Sequence, residues 1–327
     1  MDPDHLIALV ESSDLNGLVR YIDQIVAERD WDGLVELRDR CLEATERGKQ
    51  LWGAAQFAEY RIALDAPGAY AGAVVREGAG RHALGPLWEV AASTHTWDEL
   101  EAHIGDVRSR TLVAGERAIR GETIADTEID ELVLEIPPHP LSWEPAYPTA
   151  NYRGDRANFP EYELPEMTWV ELPDEAKAGE GDPMPCEALL DLVKPWTEES
   201  SGRAECRAVF GLAVDAIRAL GPHRVRLAHI DFAEAMAVLT WVGAGGGAYG
   251  RRRGTPIGRA AAWWTVTTLL GMEDDWPPDP DTLEQESAEL RWFAWDPGDR
   301  VGGWNFHLAI EDPTEGLAWA VSAVDWR

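Results

Sequence analysis

The sequence predicts an α+β protein, in which an N-terminal multi-helical domain precedes a domain with a buried helix pair and a small antiparallel sheet. Three observations support this prediction. Apolar residues recur with helical spacing through most of residues 4–127, two strongly apolar helical segments lie within 231–271, and alternating apolar and polar residues follow them. We therefore divide the chain into a helical domain (1–127), a connecting strap (128–200) and a C-terminal domain (201–327).

Composition is that of a globular protein, with 45% hydrophobic and 27% charged residues in a chain of 327. The formal net charge of −30 argues against binding to duplex nucleic acid or to an anionic membrane surface, because such contacts need clustered Lys and Arg. No apolar run approaches the roughly 20 residues of a membrane span. The acidic N-terminal residues lack the features of a signal peptide. The chain has an odd number of cysteines, and they are widely separated: Cys41, Cys186 and Cys206. We expect a cytoplasmic protein without disulfides.

The first domain reads as a series of short helices separated by turn signals such as Asp65-Ala66-Pro67-Gly68. Helical hairpins packed side by side, in a repeat-like manner, are the predicted architecture. An irregular helical domain remains the alternative, since no repeat consensus is met. The predicted segments are Leu6–Val10, Leu15–Ala27, Trp31 toward Glu46, Gln50–Leu64, Tyr70–Arg76, Leu84–Ala92, Trp97–Ile104 and Leu112–Arg120.

The strap is rich in proline and acidic residues. Alternation at Leu132, Leu134 and Ile136 predicts a short strand, and Thr168, Val170 and Leu172 predict another. The remainder is extended, and its many aromatic residues indicate an ordered segment rather than a free linker.

The C-terminal domain begins with an expected amphipathic helix over Gly202–Leu220 and a short strand near Val225. The helix pair follows, with apolar residues on nearly every side of the second helix, so Trp264 is expected to be fully buried. A meander of three strands, Leu290–Trp295, Trp304–Ile310 and Leu317–Val324, completes the domain.

The loop between the two apolar helices is the candidate binding site. Its thirteen residues, Gly243 to Thr255, exceed the usual helix-to-helix connection of about 2–8 residues, and we call them the Gly/Arg loop. Flexible glycine backbone, arginine side chains and a helix N-terminus all favour a phosphate or carboxylate group. The alternative is that the arginines pair with the chain's own acids, for example Glu273, Asp274 and Asp275. The candidate anion-binding residues are Gly245, Gly246, Gly247, Arg251, Arg252, Arg253, Thr255 and Arg259.

Other chemical motifs are weak. The spacing of Gly245 to Gly250 satisfies G-x-G-x-x-G, but a helical segment precedes it where a dinucleotide fold needs a strand. His82, His95 and His103 lack metal-ligand spacing, so neither a metal nor a cofactor is expected. His229 and Asp231 could form an acid/base pair beside the loop, although an ordinary helix-capping Asp231 explains the pattern equally well.

These observations favour an intracellular binding or regulatory protein. It would present an acidic surface to protein partners and hold an anionic small molecule at the Gly/Arg loop. An enzyme that acts on a phosphorylated or carboxylated small molecule at the same loop is the alternative, although no known catalytic motif supports it.

Overall fold

A computed structural model describes residues 3–80, 83–125, 128–179, 183–298 and 303–326. The chain forms two compact units, and each contains part of the predicted strap. Unit 1 comprises residues 1–134 and 149–159, and unit 2 comprises 135–148 and 160–327. The mixed α+β class, with helices first and a sheet later, is confirmed.

Unit 1 is built from short helices, and an aspartate side chain caps the start of three of them. The carboxylates of Asp14, Asp30 and Asp106 each accept a hydrogen bond from the backbone N–H three residues later, which satisfies one of the unpaired donors at a helix N-terminus. The helices are α1 (Pro3–Ser12), α2 (Leu15–Glu28), α3 (Trp31–Glu46), α4 (Trp52–Asp65), α5 (Gly68–Val74), α6 (Leu87–Thr94), α7 (Trp97–Leu100) and α8 (Val107–Ile119).

A small hairpin of the former strap belongs to unit 1. Strands β1 (Asn151–Tyr152) and β2 (Ala157–Asn158) pair antiparallel. Buried Tyr152 donates its hydroxyl to Glu89 at 2.5 Å, and Arg120 donates to the Ala150 carbonyl at 2.6 Å. These contacts hold the hairpin against the helices. The helical segments that the sequence predicts in this unit are observed, whereas their repeat-like arrangement stays a prediction, and His82 lies outside the described residues.

Unit 2 is organised around a six-stranded, fully antiparallel sheet. Its order is β3-β5-β6-β7-β8-β4, so the predicted meander forms its centre. The strands are β3 (Thr168–Glu171), β4 (Arg203–Phe210), β5 (Arg224–Ile230), β6 (Arg291–Asp296), β7 (Trp304–Asp312) and β8 (Leu317–Asp325). The helices of this unit are α9 (Met184–Leu192), α10 (Lys194–Glu198), α11 (Ala213–Ala219), α12 (Phe232–Ala244), α13 (Thr255–Leu269) and α14 (Pro280–Ser287).

The sheet is covered on both faces. Helices α9, α12 and α13 share one core with Trp292, Phe306 and Leu308 of the sheet. Helix α11 packs on the opposite face, where Ala213, Ala216 and Ile217 join a second core with alternate residues of the same strands. The Glu311 carboxylate accepts the Ala213 N–H at 2.8 Å and so fixes the start of α11.

Helices α12 and α13 pack closely because glycine faces glycine between them. A Cβ at Gly258 would lie 2.3 Å from the Thr240 carbonyl oxygen, and one at Gly243 would lie 3.2 Å from the Gly258 Cα. Trp263 is fully buried in this core. Trp264, which the sequence places there, is only half-buried and packs edge-on against Trp276 with a centroid distance of 5.2 Å, so that expectation is wrong.

Two further expectations are wrong. Residues 202–220 form strand β4 and the short helix α11 rather than one long helix. Strand β4 pairs with β8 along its whole length, and Gly211, with a positive φ, separates β4 from α11. No strand forms at 132–136. Leu132 is 90% exposed, and the Val133 and Leu134 N–H groups donate to the Asp130 carbonyl in a turn. Alternating apolar residues therefore do not form a strand at 132–136, where no neighbouring strand of the described chain is available to pair with them.

Candidate functional site

In the structure the Gly/Arg loop is shorter than predicted, since α12 ends at Ala244 and α13 begins at Thr255, and residues 245–254 fold back on the end of α12. The Gly245 N–H donates to the carbonyls of Trp241 and Val242, each at 3.1 Å. The N–H groups of Arg253 and Gly254 then donate to the Ala244 carbonyl at 2.8 and 3.2 Å. The C-terminal end of the loop thus returns to Ala244, the residue of α12 after which the loop begins.

Its glycines allow close packing against the protein itself. A Cβ at Gly245 would lie 2.8 Å from the Trp304 ring, and one at Gly246 would lie 2.4 Å from the Gly250 carbonyl oxygen. Gly247 adopts a φ of +71°, and a Cβ there would lie 2.3 Å from an oxygen of Asp325. A side chain at any of these three positions would therefore meet protein atoms, which explains the glycines by close packing.

Backbone N–H groups of the loop donate to acceptors from the same unit. The Ala248 N–H donates to Asp325 Oδ2 at 2.6 Å, and the Arg251 N–H donates to Glu199 Oε2 at 2.9 Å. The Tyr249 N–H donates to the Ser200 hydroxyl at 3.2 Å. Two carboxylates of the same unit therefore accept backbone N–H groups of the loop.

Arg253 links the loop to the end of α9. Its guanidinium donates to the carbonyls of Gly243 at 2.7 Å and Leu192 at 2.6 Å, which helix ends leave unpaired. Burial lowers the pKa of Arg253, while the carboxylates of Asp191 and Glu199 act in the opposite direction. This arginine stabilises the fold in its observed position.

Arg259 is buried in α13 with the carboxylate of Glu144. Its Nε donates to Glu144 Oε2 at 2.6 Å, and its Nη2 donates to Oε1. The remaining donors reach the carbonyls of Pro137 and His139. Tyr147 also donates to Glu144, and burial beside that carboxylate raises the pKa of Tyr147 well above its usual value. Arg259 is committed to this internal network, which corrects its assignment as an anion-binding residue.

The other loop residues differ in environment. Arg251 is exposed, and half-buried Arg252 donates to the Thr255 hydroxyl at 3.4 Å. Thr255 is the first residue of α13 and Gly254 occupies the capping position. Arg259 thus pairs with one of the chain's own acids, as in the alternative, although this acid is Glu144 rather than Glu273, Asp274 or Asp275. Arg253 donates to backbone carbonyls instead. An anion site at the remaining loop residues stays a prediction.

His229 and Asp231 lie at the other end of α12 from this loop. Thirteen helical residues, at about 1.5 Å each, separate them from it by roughly 20 Å. Asp231 caps α12, since its Oδ1 accepts the Glu234 N–H at 2.7 Å, and exposed His229 meets Phe293 edge-on. The predicted acid/base pair and the arginine loop are therefore not brought together.

Unit 1 contains a pocket that the sequence did not indicate. One face of α4 and two loops enclose a volume of about 230 Å³. Trp52 and Leu84 at this pocket are 44% and 43% exposed, although both are large apolar side chains. The α4 residues that line it are Trp52, Gly53, Gln56, Phe57 and Tyr60, and the loops contribute Ala83, Leu84, Gly154 and Asp155. We call it the α4 pocket.

Polar groups fix the wall of the α4 pocket. Tyr60 is buried, and its hydroxyl donates to the Arg153 carbonyl at 2.5 Å. Burial and the nearby carboxylates of Asp65 and Asp155 raise the pKa of Tyr60 to about 12. The Arg61 guanidinium lies over the Phe57 ring at 5.8 Å and forms ion pairs with Asp23 and Asp65. The aromatic wall is thus held by its own hydrogen bonds and ion pairs.

A second cavity, in unit 2, is small. Its volume of about 60 Å³ lies beside Trp295 and His307, whose rings are 4.6 Å apart. Within the described part of the chain, His, Cys, Asp and Glu side chains form no group of three or more that could hold a metal ion. Among the described helices, none combines the length and apolar character needed to cross a membrane.

Comparisons with known proteins give a family and no individual relative. Neither the curated proteins nor the solved structures include a match to this chain. A family model described as "Family of unknown function (DUF6183)" matches residues 16–325, and the chain therefore belongs to this family.

Proposed function

We propose that the protein is a non-enzymatic binding protein, and that its α4 pocket receives an apolar side chain from a protein partner. The observation that carries the proposal is the exposure of Trp52 and Leu84 at a preformed aromatic pocket. Exposed aromatic side chains around a pocket are typical of the few contacts that dominate the energy of a protein interface.

The size of the α4 pocket favours a side chain over a metabolite. Its volume of about 230 Å³ is below the roughly 300–1,000 Å³ of small-molecule sites. One large side chain of a partner would fill a space of this kind. The rigid wall formed by Phe57 and Tyr60 lowers the conformational entropy lost on binding.

Charge supports a partner with a positive surface. The chain carries 59 acidic against 29 basic residues, so long-range attraction would accelerate its encounter with a basic protein. We also propose a cytoplasmic location, which is supported by the three cysteines, all present as free thiols. An anion at the Gly/Arg loop is not part of this proposal, because the backbone N–H groups of Ala248 and Arg251 already donate to carboxylates of the same unit.

The proposal is tested by affinity capture with three forms of the full chain from extracts of the organism that makes it. The pocket variant is Trp52→Ala with Leu84→Ala, and the control is Leu132→Ala. Leu132 is 90% exposed in the same unit and lies outside the pocket lining, so its removal leaves the pocket unchanged.

We expect at least one basic protein to be captured by the parent and the control and lost with the pocket variant. Its purified form should bind the pocket variant at least about tenfold more weakly, as expected for an anchor side chain. Added salt should slow the association. Capture of the same proteins by all three forms contradicts the proposal.

A further inference from the structure

Two cysteines of unit 2 lie side by side. The Sγ atoms of Cys186 and Cys206 are 2.7 Å apart, longer than the roughly 2.05 Å of a disulfide bond and short enough for a thiol to donate to its neighbour. Cys186 lies in the first turns of α9 and Cys206 in the middle of β4. The third cysteine, Cys41, is buried in unit 1.

The two thiols differ in environment. Cys206 is 7% exposed, whereas Cys186 is half-buried and therefore more accessible to a small reagent. The hydrogen bond from Cys206 lowers the pKa of Cys186, with a further contribution from the Arg207 guanidinium. Burial raises the pKa of Cys206 well above its usual value. Cys186 is thus the better nucleophile, and Cys206 is a protonated thiol beside it.

We propose that Cys186 and Cys206 form a redox-sensitive pair that closes to a reversible disulfide in the presence of a peroxide. The Cys186 thiolate attacks one peroxide oxygen, the O–O bond breaks, and a sulfenic acid and hydroxide form. The Cys206 sulfur then attacks the sulfenic sulfur, the S–O bond breaks, and the Cys206 proton leaves with that oxygen as water. The hydroxide takes up the proton that Cys186 released on ionisation, so one peroxide is reduced to two waters while two thiols are oxidised to one disulfide.

The bond would close a ring of chain that holds the Gly/Arg loop. This ring contains α9, α10, Glu199 and Ser200. Within it, Leu192, Glu199 and Ser200 accept hydrogen bonds from Arg253, Arg251 and Tyr249. Oxidation would therefore restrain the segment that supports the loop, and a reductant would release it. A transient disulfide of this kind is compatible with a cytoplasmic protein.

The test uses the full chain with Cys41→Ala, so that only the pair can react. The reduced protein is treated with a small excess of hydrogen peroxide and analysed by intact mass and by non-reducing peptide mapping. We expect the loss of two hydrogen atoms, one peptide linked through Cys186 and Cys206, and complete reversal by dithiothreitol.

Matched variants separate the two steps. With Cys206→Ser, Cys186 should gain oxygen and form no internal disulfide. With Cys186→Ser, buried Cys206 should react at least tenfold more slowly than Cys186 does in the first variant. The proposal is overturned if the parent keeps two alkylatable thiols after treatment, accumulates oxygen on Cys186 as fast as Cys206→Ser, or forms only disulfide-linked dimers.

The effect on the loop is measured by amide hydrogen exchange of residues 245–254 in the reduced and oxidised forms of the Cys41→Ala chain. We expect slower exchange after oxidation, because the restrained ring opens less often. Equal exchange rates in the two forms would overturn the inferred restraint of the loop. None of these readouts depends on the α4 pocket, so this inference and the proposed function can fail separately.

Discussion

The sequence position of Arg259 is typical of a ligand site, whereas in the fold its guanidinium is buried against the Glu144 carboxylate. It follows a glycine-rich loop at the start of a helix, a pattern typical of anion sites. Its partner Glu144 lies 115 residues away, in a proline-rich segment without regular periodicity. Sequence spacing cannot bring two such residues together, so the network could be found only in the folded chain.

Removal of one member of this buried pair should strongly destabilise unit 2. Arg259→Met and Glu144→Met should each lower the free energy of unfolding of unit 2 by about 3–5 kcal/mol, because each leaves a buried charge unpaired. The free energy of unfolding of the double variant should fall by less than the sum of the two single losses. Arg251 is exposed, so Arg251→Met should change the free energy of unfolding by less than about 0.5 kcal/mol. Urea denaturation followed by tryptophan fluorescence measures all four. Similar losses for Arg259→Met and Arg251→Met would contradict the buried network.

Tyr60 should make unit 1 sensitive to high pH. Its pKa is raised to about 12 in the folded chain from an ordinary value of 10.0, so the unfolded chain releases the phenol proton first. This contribution to stability is fully present below pH 10.0 and is lost as the pH rises toward 12. Urea denaturation at about pH 8 and about pH 11 should show the loss, and Tyr60→Phe should reduce it. An equal pH dependence in Tyr60→Phe would show that another group is responsible.

At the scale of elements, the apolar helix pair was predictable and the role of its connection was not. Helical periodicity and a proline in the first turn located α12 and α13, because buried helices are apolar on most sides. Glycine content indicated an unusual backbone but could not distinguish close packing from ligand approach. Strand β4 was missed since its residues also fit a helical period and its partner β8 lies far along the chain.

The close approach of α12 and α13 predicts a marked difference between two helical glycines. Gly258→Ala should destabilise unit 2 by about 1–3 kcal/mol, because the added methyl group meets the Thr240 carbonyl oxygen and the Ala244 backbone. Gly53→Ala in α4 has no atom within 4 Å of the new Cβ and should be neutral or stabilise unit 1 by up to about 1 kcal/mol. Thermal unfolding of both variants gives the comparison. Equal effects would show that the two helices can separate without loss.

For the whole molecule, the acidic balance is the property that composition predicted most directly. A net charge of −30 is unfavourable for contact with phosphates, and Arg253 and Arg259 donate to acceptors within the chain. Other features of the molecule, above all the α4 pocket, depend on loops that meet one helix face and leave no motif in the sequence.

Duplex DNA should therefore bind negligibly at physiological salt. Fluorescence anisotropy with a labelled duplex of arbitrary sequence measures this directly, and a basic DNA-binding protein serves as the positive control. A dissociation constant below about 10⁻⁶ M, the strong end of ordinary non-specific binding, would contradict the expectation.

The strand order of unit 2 has a consequence for its synthesis. Strand β4 pairs only with β8 in the described sheet, and β8 spans Leu317–Asp325. During translation β4 emerges from the ribosome long before β8. The eight residues of β4 therefore remain unpaired while the residues between β4 and β8 are synthesised. Unpaired strand edges are prone to associate with other chains. Alternating Arg203, Glu205 and Arg207 place charges along this waiting strand, which would protect the nascent chain until residue 325 has left the exit tunnel.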